Sequence, residues 1–547
     1  MPGSDQPQEK TRVIGREASL KLAIVGGVLV GLIAIYLVWS NLSSTPSEKT
    51  VKMIKESERI SAGVIDYLDG LPQTENVQLK GFFEKAFSRY QTGEYTEAVD
   101  HLNMCLQLRT QDDERAAVLI LNGNCLLLLE NVPGAEGLYR RALVFADRVE
   151  TKGASAAAWG NLALIQQRAG NLDSALSLHQ EALIRHQKSG SKKEKAMELG
   201  NLGLFYQAKR DLDRALAYHQ AALDIFKEID HALGQMSQLS HLGWIRQTQG
   251  KADSSLIHYQ EALEISRKVG FAESEASQLS NIGRVHQSLG RPDTALDYYQ
   301  QALKIDKETG FKKGEAQDHL TMGWIYEQKG ELEKAQNSYR KSAGLNKKAG
   351  FKGGEASALS SLGMLYRRLE APAEALEALG QALVICREVG NRGGEANILR
   401  QIGKLHETRG DDDSALAHYE EALEIYKEMG DLRSKARVLN DAGGIQKRRG
   451  NLQLALEHFQ DVLEITRSFD DRYSEAMALM AIAQVNTASG DTEQGLKFAN
   501  QALKILREIG ADQEAAMVAE SIQRAKESLE QIQKKKTDDR ESMINDE

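Results

Sequence analysis

From about residue 115 to residue 510 the chain repeats itself every 40 residues. One cycle, GEASALSSLGMLYRRLEAPAEALEALGQALVICREVG, runs from Gly354 to Gly390; the next, GEANILRQIGKLHETRGDDDSALAHYEEALEIYKEMG, runs from Gly394 to Gly430. Gly170, Gly250, Gly290, Gly330, Gly410, Gly450 and Gly490 keep the register, and Glu130, Arg210 and Glu370 stand in the places where the glycine is missing. A fixed period of this length belongs to stacked-repeat architectures, in which each unit buries its apolar face only against its neighbours.

Each cycle predicts two helices. After Lys195, Met197, Leu199, Leu202 and Phe205 have helical spacing. Arg210 and Asp211 mark a turn, and Leu212, Ala215, Leu216, Tyr218, Ala222, Leu223 and Phe226 give a second amphipathic stripe. Glycine recurs inside the first helix, as at Gly203, Gly243, Gly283, Gly323, Gly363 and Gly403. A helical glycine costs about 1 kcal/mol against alanine, so its repetition points to close approach of two helix backbones. Alanines at Ala175, Ala215 and Ala295, and at Ala182, Ala222 and Ala262, supply two further small packing positions. Gly190, Gly270, Gly310, Gly350, Gly390, Gly430 and Gly510 end the second helices as left-handed caps.

The leucine-glycine pair, an aromatic near the end of the first helix (Tyr206, Tyr326, Tyr366), the Gly-Asn/Asp turn and the alanine-aromatic-alanine second helix resemble the tetratricopeptide repeat. The 40-residue length and the GEA-x-x-L-x-x-L-G wording resemble the long-repeat branch, as in kinesin light chains and Pins-type polarity scaffolds. The resemblance implies an all-α fold, a right-handed α-solenoid of stacked helix-turn-helix repeats. The segments read as a disordered tail (1–21), a transmembrane helix (22–39), a linker or stalk helix (40–79), a solenoid of about 11 repeats (80–510), a capping helix (511–533) and a disordered charged tail (534–547).

Leu22 to Trp39 is 18 residues without a charge. As a helix it spans about 27 Å, close to the hydrocarbon thickness of a bilayer. A cleaved signal peptide is the competing reading, but no A-x-A-like site follows. The basic residues Lys10, Arg12, Arg16 and Lys21 lie closer to the segment than Lys49, Lys52, Lys55 and Arg59. The expected orientation is therefore N-terminus in the cytoplasm and repeats on the far side. Gly27 and Gly31 form a GxxxG that allows homo-oligomeric pairing.

The formal net charge of −9 disfavours a general nucleic-acid partner. Three cysteines, Cys105, Cys125 and Cys386, give no disulfide framework, although a Cys105–Cys125 bridge is conceivable; a buried thiol is the expectation for Cys105. No HExxH, CxxC, phosphate-binding loop or G-x-S-x-G occurs, so neither catalysis nor a cofactor is expected. His179, His219, Tyr259, Tyr299, Tyr339, Leu379, Tyr419 and Phe459 share one place, which reads as packing and not as a metal site; His258, His418 and His458 read as surface residues. Asp112-Asp113-Glu114 and Asp411-Asp412-Asp413 lack the further ligands of a calcium loop.

Function is expected in an inner groove, since in tetratricopeptide folds the first helices line the concave surface. Two polar ladders fall there. One holds Asn161, Asn201, His241 and Asn281 and continues through Thr321, Ser361, Gln401 and Asp441. The other holds Gln167, Gln207, Gln247 and Gln287 and continues as Glu327, Arg367, Glu407 and Lys447. Amides offer both donor and acceptor to the backbone of an extended peptide or protein segment. In the families this chain resembles, asparagines matching Asn161, Asn201 and Asn281 serve that purpose. About six contacts of roughly 1 kcal/mol each would give micromolar or looser binding, with Trp244 and Trp324 as aromatic anchors. The chaperone-tail clamp of other tetratricopeptide proteins does not transfer: Asn124 and Asn161 fill two of its places, but Ile120, Met197 and Asn201 occupy the rest. The sequence thus reads as a membrane-anchored binding scaffold, the alternatives being a cytosol-facing receptor or a self-assembling structural scaffold.

Overall fold

A computed structural model describes residues 76–148 and 152–545. The tail, the apolar stretch 22–39 and the stalk helix before Asn76 lie outside the described residues. Among the described residues there are 23 helices and no strand. No helix there is long and apolar enough to cross a membrane.

The chain divides into two compact units, one ending at Gly354 and the other beginning at Glu355. Each is a stack of antiparallel helix pairs. Lys192–Ala208 with Leu212–Glu228 and Ala232–Thr248 with Ala252–Val269 are typical of the first; Arg392–Thr408 with Asp412–Met429 is typical of the second.

The glycine-to-ring contact fixes how the two helices of a pair meet. A Cβ placed on Gly243 would stand 2.7 Å from the Tyr259 ring, and one on Gly323 would stand 2.7 Å from Tyr339. A Cβ on Gly203 would stand 2.6 Å from the His219 ring. The rings themselves are fully or almost fully buried. The expected backbone approach is therefore mainly a seat for a ring, with the opposing carbonyl also near at Gly283, where Ala295 O is 3.2 Å away.

The turns follow the expected punctuation. Gly190, Gly270, Gly310, Gly390 and Gly430 have φ between 66° and 77°. At the turn inside each pair, Glu130, Arg210 and Glu370 hold φ of 62°, 60° and 56°, where a glycine would be relaxed. Asp230 and Asp470 do the same at the ends of second helices. Asp211 caps the next helix by accepting from the Arg214 amide.

Two expectations change, and the buried thiol expected at Cys105 is found. The segment after residue 533 continues as helix to Asn545: no glycine or proline interrupts it, and Lys, Gln, Glu and Arg are good helix formers. Cys105, Cys125 and Cys386 are all free and buried, so no bridge joins the first two. His258, His418 and His458 are half-buried and not on the open surface; the His418 imidazole stacks on His406 with ring centroids 5.3 Å apart.

Candidate binding groove

First helices of successive repeats join directly. In the unit ending at Gly354, Asn161 donates to Asn124 Oδ1 at 2.9 Å, Ser240 to Gln278 Oε1 at 3.1 Å, and Ser280 to Asp318 Oδ1 at 2.7 Å. Successive second helices join through long exposed side chains, such as Lys227 and Glu261. The first-helix row is therefore the tighter one and forms the inner face of the stack.

That inner face carries a column of buried polar groups. Glu198, Gln238, Gln278 and Asp318 stand 40 residues apart and are all nearly inaccessible. Each has a hydrogen-bonding neighbour: Glu198 Oε1 with His179 Nδ1 at 2.6 Å, and Gln238 Oε1 with His219 Nδ1 at 2.7 Å, besides the two serine bonds. In the unit beginning at Glu355 the same position holds Ala358, Ile398, Val438 and Ala478, all buried. The polar ladders did not include this column, although Glu, Gln, Gln, Asp at 40-residue intervals is visible in the sequence.

The ladders themselves divide. Asn161 is fully buried beside Asn124, which also accepts from the Tyr139 hydroxyl at 2.8 Å. Gln167 is buried against His179 Nε2 at 3.2 Å, and Gln287 accepts from the Tyr299 hydroxyl at 3.4 Å. Glu327 and Glu407 accept from Tyr339 and Tyr419, each at 2.9 Å. The second ladder thus mostly satisfies the polar tip of the ring that sits on the repeat glycine. Gln207 is buried with its Nε2 unpartnered. Asn281 accepts from Arg284 Nη2 at 2.7 Å and is nearly covered.

A shorter row borders a cleft, with Asn201 and His241 themselves only 4 % and 8 % exposed. Asn201 and His241 line a cleft between helices Lys192–Ala208 and Ala232–Thr248, walled by Met197, Leu204, Phe226 and Gln238. Its volume is about 300 Å³ counting the open mouth. Trp244 is half-buried one turn further on, Gln247 is half-exposed, and Trp324 is 49 % exposed. Burial pushes the His219 imidazole down to about 4; burial and the neighbouring His219 ring push His241 to about 3, so both are neutral near pH 7. Their rings stack with centroids 4.8 Å apart.

Among the described residues no group of three or more His, Cys, Asp or Glu is arranged to hold a metal ion. Glu114, expected in an acidic cluster, instead closes a capping box with Gln111. Asp412 and Asp413 pair with Arg449.

A chain of antiparallel helix pairs with a glycine-seated ring in most of them, repeating every 40 residues, defines a helical-repeat binding protein. The tetratricopeptide-repeat family model matches residues 193–268, 274–348, 354–428 and 434–508, more than half of the chain, and a second model of the same repeat matches 158–192. The chain belongs to the tetratricopeptide-repeat family. Comparison with curated proteins gave no match. Among solved structures, the chain is similar to the apo form of the quorum sensor NprR from B. thuringiensis, with 14% identity and a TM-score of 0.47 over 64% of this chain and 97% of that one. It is also similar to a Rap protein complexed with competence and sporulation factor (15% identity, TM-score 0.43, 65% and 98% covered) and to yeast Tom70 (12%, 0.40, 84% and 97%).

Proposed function

We propose that this protein is a non-catalytic, membrane-tethered scaffold that holds an extended segment of a partner protein along the first-helix face of residues 76–354. The observation that carries the reading is the cleft lined by the buried Asn201 and His241, beside the partly exposed Trp244 and Gln247, with Trp324 exposed on a later first helix. It combines neutral donors and acceptors for a peptide backbone with two aromatic surfaces that an apolar side chain can cover. The apolar stretch 22–39 is the tether in this reading, and the nearer basic residues support an N-terminus in the cytoplasm with the repeats across the membrane.

Two measurements test this. Random twelve-residue peptides displayed on phage are selected on the full-length chain in lipid nanodiscs, then rebound to a Trp244→Ala/Trp324→Ala variant of equal helicity. Enriched peptides that lose at least tenfold in affinity for the variant support the groove; enriched peptides that bind the variant equally well place binding elsewhere. Separately, alkaline extraction of membranes should leave the full-length chain in the pellet and release a chain lacking residues 1–40. Release of both would remove the tether from the reading.

A further inference from the structure

Three consecutive repeats build the same spot in different ways. Ser240 and Ser280 each send a hydroxyl to the buried polar group of the following repeat, Gln278 at 3.1 Å and Asp318 at 2.7 Å. The equivalent of those serines one repeat earlier is Gly200, and the polar group it should meet is Gln238. The Gln238 amide stands close against the bare Gly200 backbone. A Cβ built on Gly200 would lie 3.1 Å from Gln238 Nε2 and 3.3 Å from its Oε1. The cleft described above is therefore the place that a serine occupies in the next two repeats.

We propose that this cleft is a selectivity pocket that receives one short hydroxyl-bearing side chain, serine or threonine, from the peptide lying in the groove. The assignment rests on the groove reading. A ligand hydroxyl would accept from Gln238 Nε2, at the side chain equivalent to the Gln278 amide that Ser240 meets by donating to Oε1. Gln238 Oε1 already accepts from His219 Nδ1, which directs its amide nitrogen toward the gap beside Gly200. Asn201, Ser237 and His241 add further neutral donors and acceptors around the mouth.

Charge and size set the selectivity. No carboxylate, ammonium or guanidinium lines the cleft, and both imidazoles stay neutral at working pH. A charged side chain would lose its hydration there without meeting a counter-charge. The enclosed part is about the size of one water molecule, so long side chains do not enter. A purely apolar group of the right size would fit but leave the Gln238 amide unpaired.

The test uses the same displayed library on the full-length chain and on Gly200→Ser and Gly200→Ala, which close the gap with an internal hydroxyl and an internal methyl. Peptides enriched on the native chain should share one position rich in serine and threonine. That preference should vanish on both variants, and a native-selected peptide should bind each at least tenfold more weakly. Replacing its serine by alanine should weaken binding to the native chain by a similar factor, with little further loss on Gly200→Ser. Enrichment of charged or bulky residues at that position, or an unchanged serine preference on the variants, overturns the pocket. Peptides that depend on Trp244 and Trp324 but not on Gly200 leave the groove standing and remove the pocket; failure to enrich any peptide removes both. If either variant loses helicity, the serine-to-alanine series on the native chain decides.

Discussion

Gly403 lies directly under the ring of Tyr419: a Cβ placed on Gly403 would come within 2.5 Å of Tyr419 Cε1 and 3.1 Å of the Ala415 carbonyl. The two residues belong to the two helices of one pair, and Tyr419 is completely buried, with its hydroxyl held by Glu407. A methyl group here must displace a ring that has nowhere to go.

Gly403→Ala should therefore destabilise by about 1–3 kcal/mol, the usual cost of overpacking, despite alanine's better helix propensity. Gly344 and Gly380 are the internal controls, since both sit in helices and a Cβ on either meets nothing within 4 Å. Alanine there should stabilise by about 0.5–1 kcal/mol. Urea denaturation followed by far-ultraviolet circular dichroism reads all three, and equal signs at Gly403 and Gly344 would contradict the ring-seat account.

The left-handed turn residues give the opposite experiment. Arg210 and Glu370 hold φ of 60° and 56° where most repeats use glycine. Removing the side chain relieves about 1 kcal/mol of backbone strain at each, so Arg210→Gly and Glu370→Gly should raise the denaturation midpoint. Gly250→Ala, at φ 74° in the equivalent turn, should lower it by a similar amount. A fall in stability for both glycine variants would show that the side chains contribute more than the strain.

Asp306 and Asp318 predict an alkaline weakness. Both are buried, with one carboxyl oxygen of each unpartnered. Burial, with Asp318, Glu273 and Glu315 nearby, pushes the Asp306 carboxyl up to about 9, and burial pushes Asp318 up to about 8 although Ser280 donates to it. The folded chain therefore holds protons that the unfolded chain releases above the ordinary aspartate range. Stability from these groups is full below about pH 4 and is lost as pH rises toward 8 to 9. Asp306→Asn and Asp318→Asn should each flatten that slope and stabilise the protein at pH 8 by about 1–3 kcal/mol. Thermal melts between pH 5 and pH 9 decide; a native slope that the asparagines leave unchanged would point to other groups.

The thiols should be silent. Cys105, Cys125 and Cys386 are buried, and burial pushes the Cys105 thiol up to about 11, far from the thiolate form that reacts. A chromogenic disulfide reagent should label none of the three in the native protein and all of them in guanidinium. Rapid native labelling at Cys105 would mean that the pair Val77–Thr92 and Tyr95–Gln107 opens locally.

The repeat, the helix pairs, the caps and the small packing positions were legible because each depends on residues within one cycle. Gly190 at φ 77° needs only its own helix end. The groove was less legible because exposure of an inner-face residue depends on the neighbouring repeat. Asn161 and Asn201 are equivalent in sequence, yet Asn161 bonds to Asn124 under complete cover while Asn201 borders a cleft. What differs is the partner residue one cycle away, not the asparagine. The second ladder shows a related dependence: twelve residues downstream of Gln167 and Gln287 stand His179 and Tyr299, whose polar atoms bond those amides.

The polar column at Glu198, Gln238, Gln278 and Asp318, set against Ala358, Ile398, Val438 and Ala478, also grades the chain along its length. In a stack whose members touch only their neighbours, each junction opens with its own free energy. Junctions sealed by amides and carboxyls give back less on closing than junctions sealed by alanine, isoleucine and valine. Amide hydrogens between residues 192 and 328 should consequently exchange before those between residues 392 and 508. The stretch that presents the binding face would then be the first to loosen, able to admit a partner by parting two repeats while the rest of the protein stays folded.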